Sequence, residues 1–324
     1  MTEDIPDRKL SPDEQEAIRE QVRQTIRQAD LTQRQAANES GIPYGTLTPW
    51  LGGTYAGDGS RIATAMQRWM ISRGKRQEIR AAAPRNLFVE TPSAAEYLQL
   101  LAHAQHMPDI VVIAGDPGLG KSAAACHYTR NNPNVFKIVA EEAHNSNRAL
   151  LGELASVLGC YDNGSLYRIS REIKQRLLNS GGLIIVDEAQ HYTTQMLNQI
   201  RTYYDQCGVG IALIGNEAIN ARLRGGKRAS EYAQLTRRVG PRVNRHKPRS
   251  GDITALLDAW EVPEGDVRKM LRAIALRPGA LGEMQKTHRM AQLLANAQGR
   301  ELTAGDVEAA YNRRNEMPLQ VGAA

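Results

Sequence analysis

A glycine-rich segment of eight residues restricts the fold of this 324-residue chain more than any other feature. It has the form GxxxxGK[ST], follows the apolar run Ile110 to Ala114 and precedes a helical pattern, which is the strand-to-helix setting that the motif requires. In such a loop, backbone N–H groups surround phosphate oxygens, Lys121 reaches the β and γ phosphates, and the Ser122 hydroxyl binds Mg²⁺. The predicted site for ATP and Mg²⁺ consists of Gly115, Asp116, Pro117, Gly118, Leu119, Gly120, Lys121 and Ser122.

A second apolar run supplies the acidic groups that hydrolysis requires. The run Leu183 to Val186 leads directly into Asp187 and Glu188. We expect Ser122 and Asp187 to hold Mg²⁺, the latter through water, and Glu188 to orient and polarise the attacking water. The alternative is an acidic pair that only ends a core strand. The pair predicts hydrolysis as well as binding, so the chain is expected to be an Mg²⁺-dependent ATPase.

The middle of the chain alternates short apolar runs with helical patterns. Strands are predicted over Ile110 to Ala114, Val135 to Val139, Leu183 to Val186 and Val209 to Ile214. Continuous apolar runs separated by helices are typical of a parallel sheet covered on both faces. After Gly251 only helical patterns follow, so an α/β core followed by a helical subdomain is predicted.

The last of these predicted strands leads to Asn216, whose side chain would contact the attacking water or the γ-phosphate. The order of P-loop, Asp-Glu strand, Asn-ended strand and helical segment resembles the AAA+ ATPases over about residues 90 to 315. The resemblance implies that Asn216 is the residue called sensor 1. It also implies an AAA+ ATPase core over 90–250 and a helical C-terminal lid over 251–324.

Basic residues are concentrated just after this strand. The chain has 41 Lys and Arg against 35 Asp and Glu, and ten basic residues but one acid lie between Arg222 and Arg249. Such an excess favours a polyanionic partner, with nucleic acid the first candidate. AAA+ proteins place here an arginine that reaches the γ-phosphate of a neighbouring subunit. The resemblance implies Arg238 for that role, with Arg237 as the second choice.

A helix predicted from Ser165 to Leu178 is a further candidate for DNA contact. Arg168, Arg171 and Lys174 follow one another at a spacing of three, so they share roughly one face. Cations on such a face would follow a DNA backbone. The alternative is an ordinary exposed helix.

Residues 1–72 predict a separate, all-α domain. Between Leu31 and Leu51, a helix capped by Thr32, a turn at Gly41 and a second short helix resemble a helix-turn-helix. Pro49 departs from that pattern, because proline removes a hydrogen bond inside the second helix, which must therefore be short or kinked. The alternative is a helical domain that docks on other surfaces. The side chains expected to face DNA are Tyr44, Thr46 and Thr48.

The segment 73–89 is predicted to be an exposed basic linker. Its apolar pattern stops, and its basic residues greatly outnumber its acids. Pro84 ends the basic run.

Segments outside the ATPase motifs narrow the resemblance further. They are Asn38-Glu39-Ser40-Gly41, Gln67-Arg68-Trp69, Phe88-Val89-Glu90-Thr91, Gly225-Gly226 with Arg228, and Arg277-Pro278-Gly279-Ala280-Leu281. In this order, from about residue 30 to 312, they resemble one branch of the AAA+ proteins, the Mu B transposition proteins. The resemblance implies an ATP-dependent homo-oligomer, a filament or ring, on double-stranded DNA with little sequence preference. It further implies capture of target DNA and activation of a transposase.

One position departs from the AAA+ pattern. Where a lid would offer a sensor 2 arginine after Gly-Ala-Leu, this chain has Gly282. Either another lid residue such as Arg289 takes that role, or the lid is coupled more weakly to the nucleotide.

Two alternative functions fit parts of the sequence. A regulator could read a specific operator with the helix-turn-helix while ATP switches its assembly, and an ATPase acting on a protein complex would need no DNA affinity.

Neither a disulfide framework nor a zinc site is expected from the widely spaced Cys126, Cys160 and Cys207. A run of 18 apolar residues is absent, so we expect a cytoplasmic protein without a membrane partner.

Overall fold

Contacts along the chain divide it into two units, Met1–Arg85 and Asn86–Ala324. The computed structural model describes residues 9–82, 88–143, 146–161, 163–223 and 235–315. The segment 224–234 of the basic region, which includes Gly225, Gly226 and Arg228, therefore lies outside the described residues.

The described part of the first unit, residues 9–82, is helical, as predicted. Its helices are α1 (Pro12–Gln28), α2 (Gln33–Ser40), α3 (Tyr44–Leu51) and α4 (Gly59–Ala82). Ser11 and Thr32 begin α1 and α2 with reciprocal capping boxes, which satisfy N–H groups that would otherwise lack partners. Val22, Leu47 and Trp50 are almost fully buried and form the centre of the core. The unit thus has a core of its own.

The turn between α2 and α3 has the conformation that the sequence predicts. Gly41 adopts a left-handed backbone with φ of 73°, which glycine tolerates without strain. Pro49 lies inside α3, and that helix is only eight residues long. The second helix is therefore short, as its proline requires.

The first ten residues of the predicted linker at 73–89 are helical, because α4 continues to Ala82. The apolar pattern stops after Ile71, but Arg, Lys, Gln and Ala are good helix formers even where no core contact holds them. Lys75 and Arg76 are exposed on this extension. The first part of the expected basic linker is therefore the polar end of a helix.

Within its described residues, the second unit contains a parallel sheet of five strands in the order β2-β3-β4-β1-β5. The strands are β1 (Ile110–Gly115), β2 (Val135–Val139), β3 (Leu183–Asp187), β4 (Gly210–Gly215) and β5 (Val239–Arg245). Because all strands run in the same direction, the P-loop, Asp187 and Asn216 meet at one edge of the sheet. This arrangement confirms the predicted α/β core.

Strand β5 was not predicted, because it lies within the basic segment and has no apolar run. Gly240 and Pro241 fall at an irregularity in its pairing with β1, where Ile110 pairs with Val239 but Val112 pairs with Arg242. Such a bulge accommodates proline, which cannot donate to a ladder.

Helices cover both faces of the sheet. Helices α5 (Pro92–His106) and α6 (Lys121–Asn131) cover one face, while α7 (Asn147–Leu158), α8 (Leu166–Leu177) and α9 (Thr194–Cys207) cover the other. A further helix, α10 (Glu217–Leu223), follows β4. Alternate residues of the strands enter the two cores: Val112 and Ile184 enter one, and Ile113 and Ile185 enter the other. This burial on both faces explains why the strands are continuous apolar runs.

The C-terminal lid is helical, as predicted. It consists of α11 (Ser250–Ala259), α12 (Asp266–Ala275), α13 (Ala280–Asn296) and α14 (Ala304–Arg314). Its core includes the fully buried Leu257, Leu271, Met284 and Val307. Among the helices described in either unit, each is too short or too polar to cross a membrane.

Acid is expected to destabilise the lid through His288, whose ring is buried and stacks on Trp260 with centroids 4.8 Å apart. Burial lowers the pKa of His288 from 6.5 to about 4, so the folded lid favours the neutral ring. The contribution of the neutral His288 ring to the free energy of unfolding is therefore fully present above about pH 6.5. It is lost as the pH falls towards 4, by about 3 kcal/mol. Thermal unfolding between pH 7 and 4 measures this loss. His288→Phe keeps an aromatic ring and should flatten the pH dependence, whereas an unchanged slope would contradict the assignment.

Candidate functional site

The P-loop is fixed at both sides by close backbone contacts. At Gly115, with φ of 144°, a Cβ atom would lie 1.9 Å from the Arg245 carbonyl oxygen, and the Asp116 N–H donates to that oxygen at 2.9 Å. At Gly118, with φ of 82°, a Cβ atom would lie 1.9 Å from the Gly279 carbonyl oxygen. These two glycines therefore allow β5 and the lid to touch the loop backbone.

Lys121 is held across the loop by its own main chain. Its Nζ donates to the carbonyl oxygens of Gly115 and Asp116, both at 2.8 Å. Burial lowers the pKa of Lys121, and the nearby carboxylates of Glu188, Asp187 and Asp116 oppose that effect. A partly desolvated ammonium group interacts more strongly with an anion than an exposed one does.

Asp187 is almost completely buried. The Glu188 backbone N–H donates to its Oδ1 at 3.1 Å, and two side chains contact the same carboxylate. Its Oδ1 accepts from the Ser122 hydroxyl at 3.1 Å, and its Oδ2 lies 3.0 Å from Lys137 Nζ. Hydroxyl and carboxylate oxygens converging at the mouth of a phosphate loop are the ligands that Mg²⁺ prefers. Ser122 and Asp187 thus fit the expected metal.

Lys137 was missed by the sequence analysis. It lies on β2, where its side chain is only 15% exposed. A single charged residue in the apolar run Val135 to Val139 was the available signal, but only the pairing of β2 with β3 brings it to Asp187. Its ammonium group compensates the buried carboxylate.

A cleft of about 300 Å³ opens beside these groups. It is lined by Gly115, Pro117, Gly118, Leu119, Gly120, Lys121, Ser122, Ala123, Asp187, Glu188, Gly215 and Asn216. The structure thus brings together seven of the eight predicted P-loop residues and all three polar residues at the strand ends. Asp116 does not line the cleft, because its carboxylate lies 3.2 Å from His246 Nδ1 instead.

Glu188 and Asn216 stand at the ends of adjacent strands. Glu188 has a left-handed backbone with φ of 53°, and its side chain is exposed in the cleft. The Asn216 side-chain oxygen accepts from the Ala218 N–H at 2.9 Å, so it is fixed at the start of α10.

Arg238 lies far from the P-loop of its own protomer. It immediately precedes β5, and the next residue, Val239, pairs with Ile110 at the start of β1, whereas the P-loop follows the other end of that strand. A strand of this length separates the two by about 15–20 Å. Its Nε donates to Asp205 Oδ1 at 2.6 Å. Within one protomer, Arg238 is therefore not part of the cleft.

The lid contacts the P-loop through backbone atoms. The Gly282 N–H donates to the Gly118 carbonyl oxygen at 3.0 Å, and a Cβ atom at Gly282 would lie 3.2 Å from Gly118 Cα. Glycine at this position is explained by that close approach. The suggested substitute Arg289 is exposed and does not line the cleft, since it lies about 13 Å further along α13 than Ala280.

The residues predicted to contact DNA lie outside the cleft. Arg168 and Arg171 are exposed on α8, whereas Lys174 is half-buried. The guanidinium of Arg168 lies 5.3 Å from the ring centroid of Tyr161. In the first unit Tyr44 is exposed, while Thr46 and Thr48 are half-buried.

Comparison with known proteins agrees with this geometry. A family model described as the C-terminal part of the Mu B transposition protein matches residues 237–313, and one described as an AAA domain matches residues 104–223. Among solved structures, a Walker-type ATPase of Pyrococcus abyssi has a TM-score of 0.52 at 15% identity, with 72% of this chain and 73% of that chain covered. The AAA-type ATPase fold is thereby confirmed.

Relatives from phages and a prophage match most of the chain. The ATP-dependent target DNA activator B of Escherichia phage Mu is 32% identical over 308 residues, which are 94% of this chain and 96% of that protein. The DNA transposition protein B of the Mu-like prophage FluMu of Haemophilus influenzae is 28% identical over 82% of this chain and 93% of its own length. This similarity confirms the resemblance inferred from the motifs, and the chain belongs to the Mu B family of ATP-dependent target DNA activators.

Proposed function

We propose that this chain is an ATPase that binds double-stranded DNA in its ATP state, with little sequence preference, and presents that DNA as target to a transposase. The observation that carries the proposal is the convergence of Lys121, Ser122, Asp187 and Glu188 on one cleft, in a chain that matches a Mu B activator over 94% of its length. The N–H groups and lysine of the loop suit a polyphosphate, and the acids suit its hydrolysis.

Each residue of the cleft has a distinct role in the proposed reaction. Mg²⁺, when bound by Ser122 and Asp187, supplies positive charge that neutralises phosphate oxygens. Lys121 leaves its loop carbonyls for the β and γ phosphates. Glu188 orients the attacking water and accepts its proton, and Asn216 contacts that water or the γ-phosphate.

A neighbouring copy completes the site in this proposal. Arg238 lies beside the start of β1, whereas its own P-loop follows the end of that strand. We therefore expect Arg238 to reach the γ-phosphate bound by another protomer. Oligomerisation is then required for hydrolysis, in a filament or a ring. To reach that phosphate, Arg238 must exchange its partner Asp205 for the neighbour's nucleotide.

Two exposed surfaces support the proposal that the chain binds DNA. Arg168 and Arg171 present cations on α8, and the helix-turn-helix of the first unit presents Tyr44. Contacts to phosphates would be indifferent to sequence. The basic excess of the chain favours such contacts.

Replacing Lys121 with alanine is expected to remove nucleotide binding and ATP-dependent DNA binding together. Loss of a buried, charge-assisted contact costs about 2–5 kcal/mol, or about 30- to 4,000-fold in affinity. Binding of a labelled duplex of arbitrary sequence, at one stated salt concentration, is measured with ATP, with ADP and without nucleotide. Lys269→Ala is the matched control, since that lysine is 79% exposed in the lid.

The outcomes separate the three candidate functions. Binding that requires ATP and ignores sequence supports target capture, and stimulation of a transposase is then measured directly. Binding that ignores nucleotide but depends on sequence would favour the operator-reading regulator. Absence of DNA binding would favour an ATPase that acts on a protein complex.

A further inference from the structure

Gln190 joins two parts of the hydrolysis site without lining the cleft. Its Nε2 donates to Glu188 Oε2 at 2.6 Å, and its Oε1 accepts from the backbone N–H of Asn216 at 3.2 Å. One side chain therefore connects the acid that follows β3 to the residue that follows β4. An amide suits this position because it donates from one atom and accepts at the other.

The position of Gln190 is fixed by its surroundings. Arg222 Nη1 donates to the Gln190 carbonyl oxygen at 2.8 Å and to the Tyr192 carbonyl oxygen at 3.2 Å, which holds the short helical turn at Ala189–His191. A Cβ atom at Gly215 would lie 2.4 Å from Gln190 Oε1. Glycine at the end of β4 thus leaves space for the amide.

Glu188 has few other constraints. Its side chain is exposed in the cleft, and its hydrogen bond from Gln190 is the described contact that restrains the carboxylate. A free glutamate side chain populates several rotamers, and holding one of them costs conformational entropy that a hydrogen bond offsets. Catalytic geometry is sensitive to such freedom, since a displacement of about 1 Å costs about 100-fold in rate.

We propose that Gln190 is a positioning residue for ATP hydrolysis, which orients the carboxylate of Glu188 and ties that orientation to Asn216 at the end of β4. The inference rests on the proposed role of Glu188. Among the hydrogen bonds described for Gln190, none reaches the P-loop, so we expect it to affect hydrolysis after nucleotide has bound. Movement of Asn216 would be transmitted to Glu188 through the same side chain.

Two substitutions separate the donor bond from the acceptor bond. Gln190→Ala removes both, whereas Gln190→Glu keeps an acceptor for the Asn216 N–H and replaces the donor to Glu188 with a second carboxylate. Both variants are expected to lower kcat by about 10- to 100-fold, with nucleotide affinity unchanged. Gln292→Ala, which removes an exposed glutamine bond to Asn296 in the lid, is the matched control.

A double-mutant cycle tests whether Gln190 acts through Glu188. In the Glu188→Gln background, Gln190→Ala is expected to produce no further loss of hydrolysis, because the carboxylate that it positions is gone. Additive losses in the double variant would overturn the proposal, and so would wild-type kcat in Gln190→Glu. A parallel loss of nucleotide affinity in both Gln190 variants would also overturn it, since it would indicate a damaged loop.

The failure of the proposed function would be distinguishable from the failure of this inference. ATP-dependent binding of duplex DNA by the wild type tests target capture, and it involves no Gln190 variant. If DNA binding is absent but the cycle is non-additive, the positioning role stands in an ATPase with another partner. If Glu188→Gln hydrolyses normally, the role of Glu188 fails and the inference fails with it.

Discussion

Replacing Arg238 with alanine is expected to leave nucleotide affinity intact while lowering ATP hydrolysis by the assembled protein about 10³- to 10⁵-fold. The physical reason is the position of Arg238 relative to its own phosphate loop. Arg238 precedes the strand that pairs with the start of β1, so the length of β1 separates it from its own phosphate loop. A guanidinium supplied by a neighbour would stabilise the charge that develops on the γ-phosphate. The measurement is steady-state hydrolysis with DNA present, alongside nucleotide binding to the same variant.

Mixing two defective proteins tests whether the arginine acts between subunits. Subunits carrying Glu188→Gln are hydrolysis-defective but keep Arg238, so adding them to Arg238→Ala subunits should restore part of the lost activity. Arg237→Ala is the internal comparison, since that side chain is the exposed neighbour. Failure of the mixture to recover activity would remove the trans assignment. A larger loss in Arg237→Ala than in Arg238→Ala would move the role by one residue.

Replacing Glu188 with glutamine is expected to preserve ATP binding and lower hydrolysis by about 10²- to 10⁴-fold, the contribution of a general base. The amide keeps the size of the side chain but cannot take a proton from water. Because the ATP state would persist, the variant should remain on DNA longer than the wild type. Dissociation from a labelled duplex after dilution into excess competitor measures this residence time. Normal turnover in this variant would show that another group activates the water.

The features that the sequence predicts correctly depend on local chemistry. The phosphate loop, Asp187 and Asn216 each follow a continuous apolar run, and parallel strands bring the ends of such runs together. Strand β5 was missed because a strand beside β1 at the edge of the sheet needs no apolar run on both faces. The helical extension to Ala82 was missed because no core contact marks it.

The contacts within the site were beyond prediction for a different reason. Lys137 meets Asp187 only through the register of β2 with β3, and Gln190 meets Asn216 only through the pairing of β3 with β4. Both depend on residues that are far apart in the chain. The reason for glycine at position 282 likewise lies in its approach to Gly118, which is distant in the chain.

The irregular strand β5 affects how copies of this chain can contact one another. Unpaired strand edges are templates on which other chains can add strands and aggregate. In the described part of the sheet, β5 pairs only with β1, but it carries a bulge, arginine side chains and Pro241, which has no N–H to offer. In the proposed oligomer on DNA, neighbouring copies would find little on this strand to extend into a continuous sheet. Contacts that neighbouring copies make at β5 would therefore be made by side chains, and such contacts can be released.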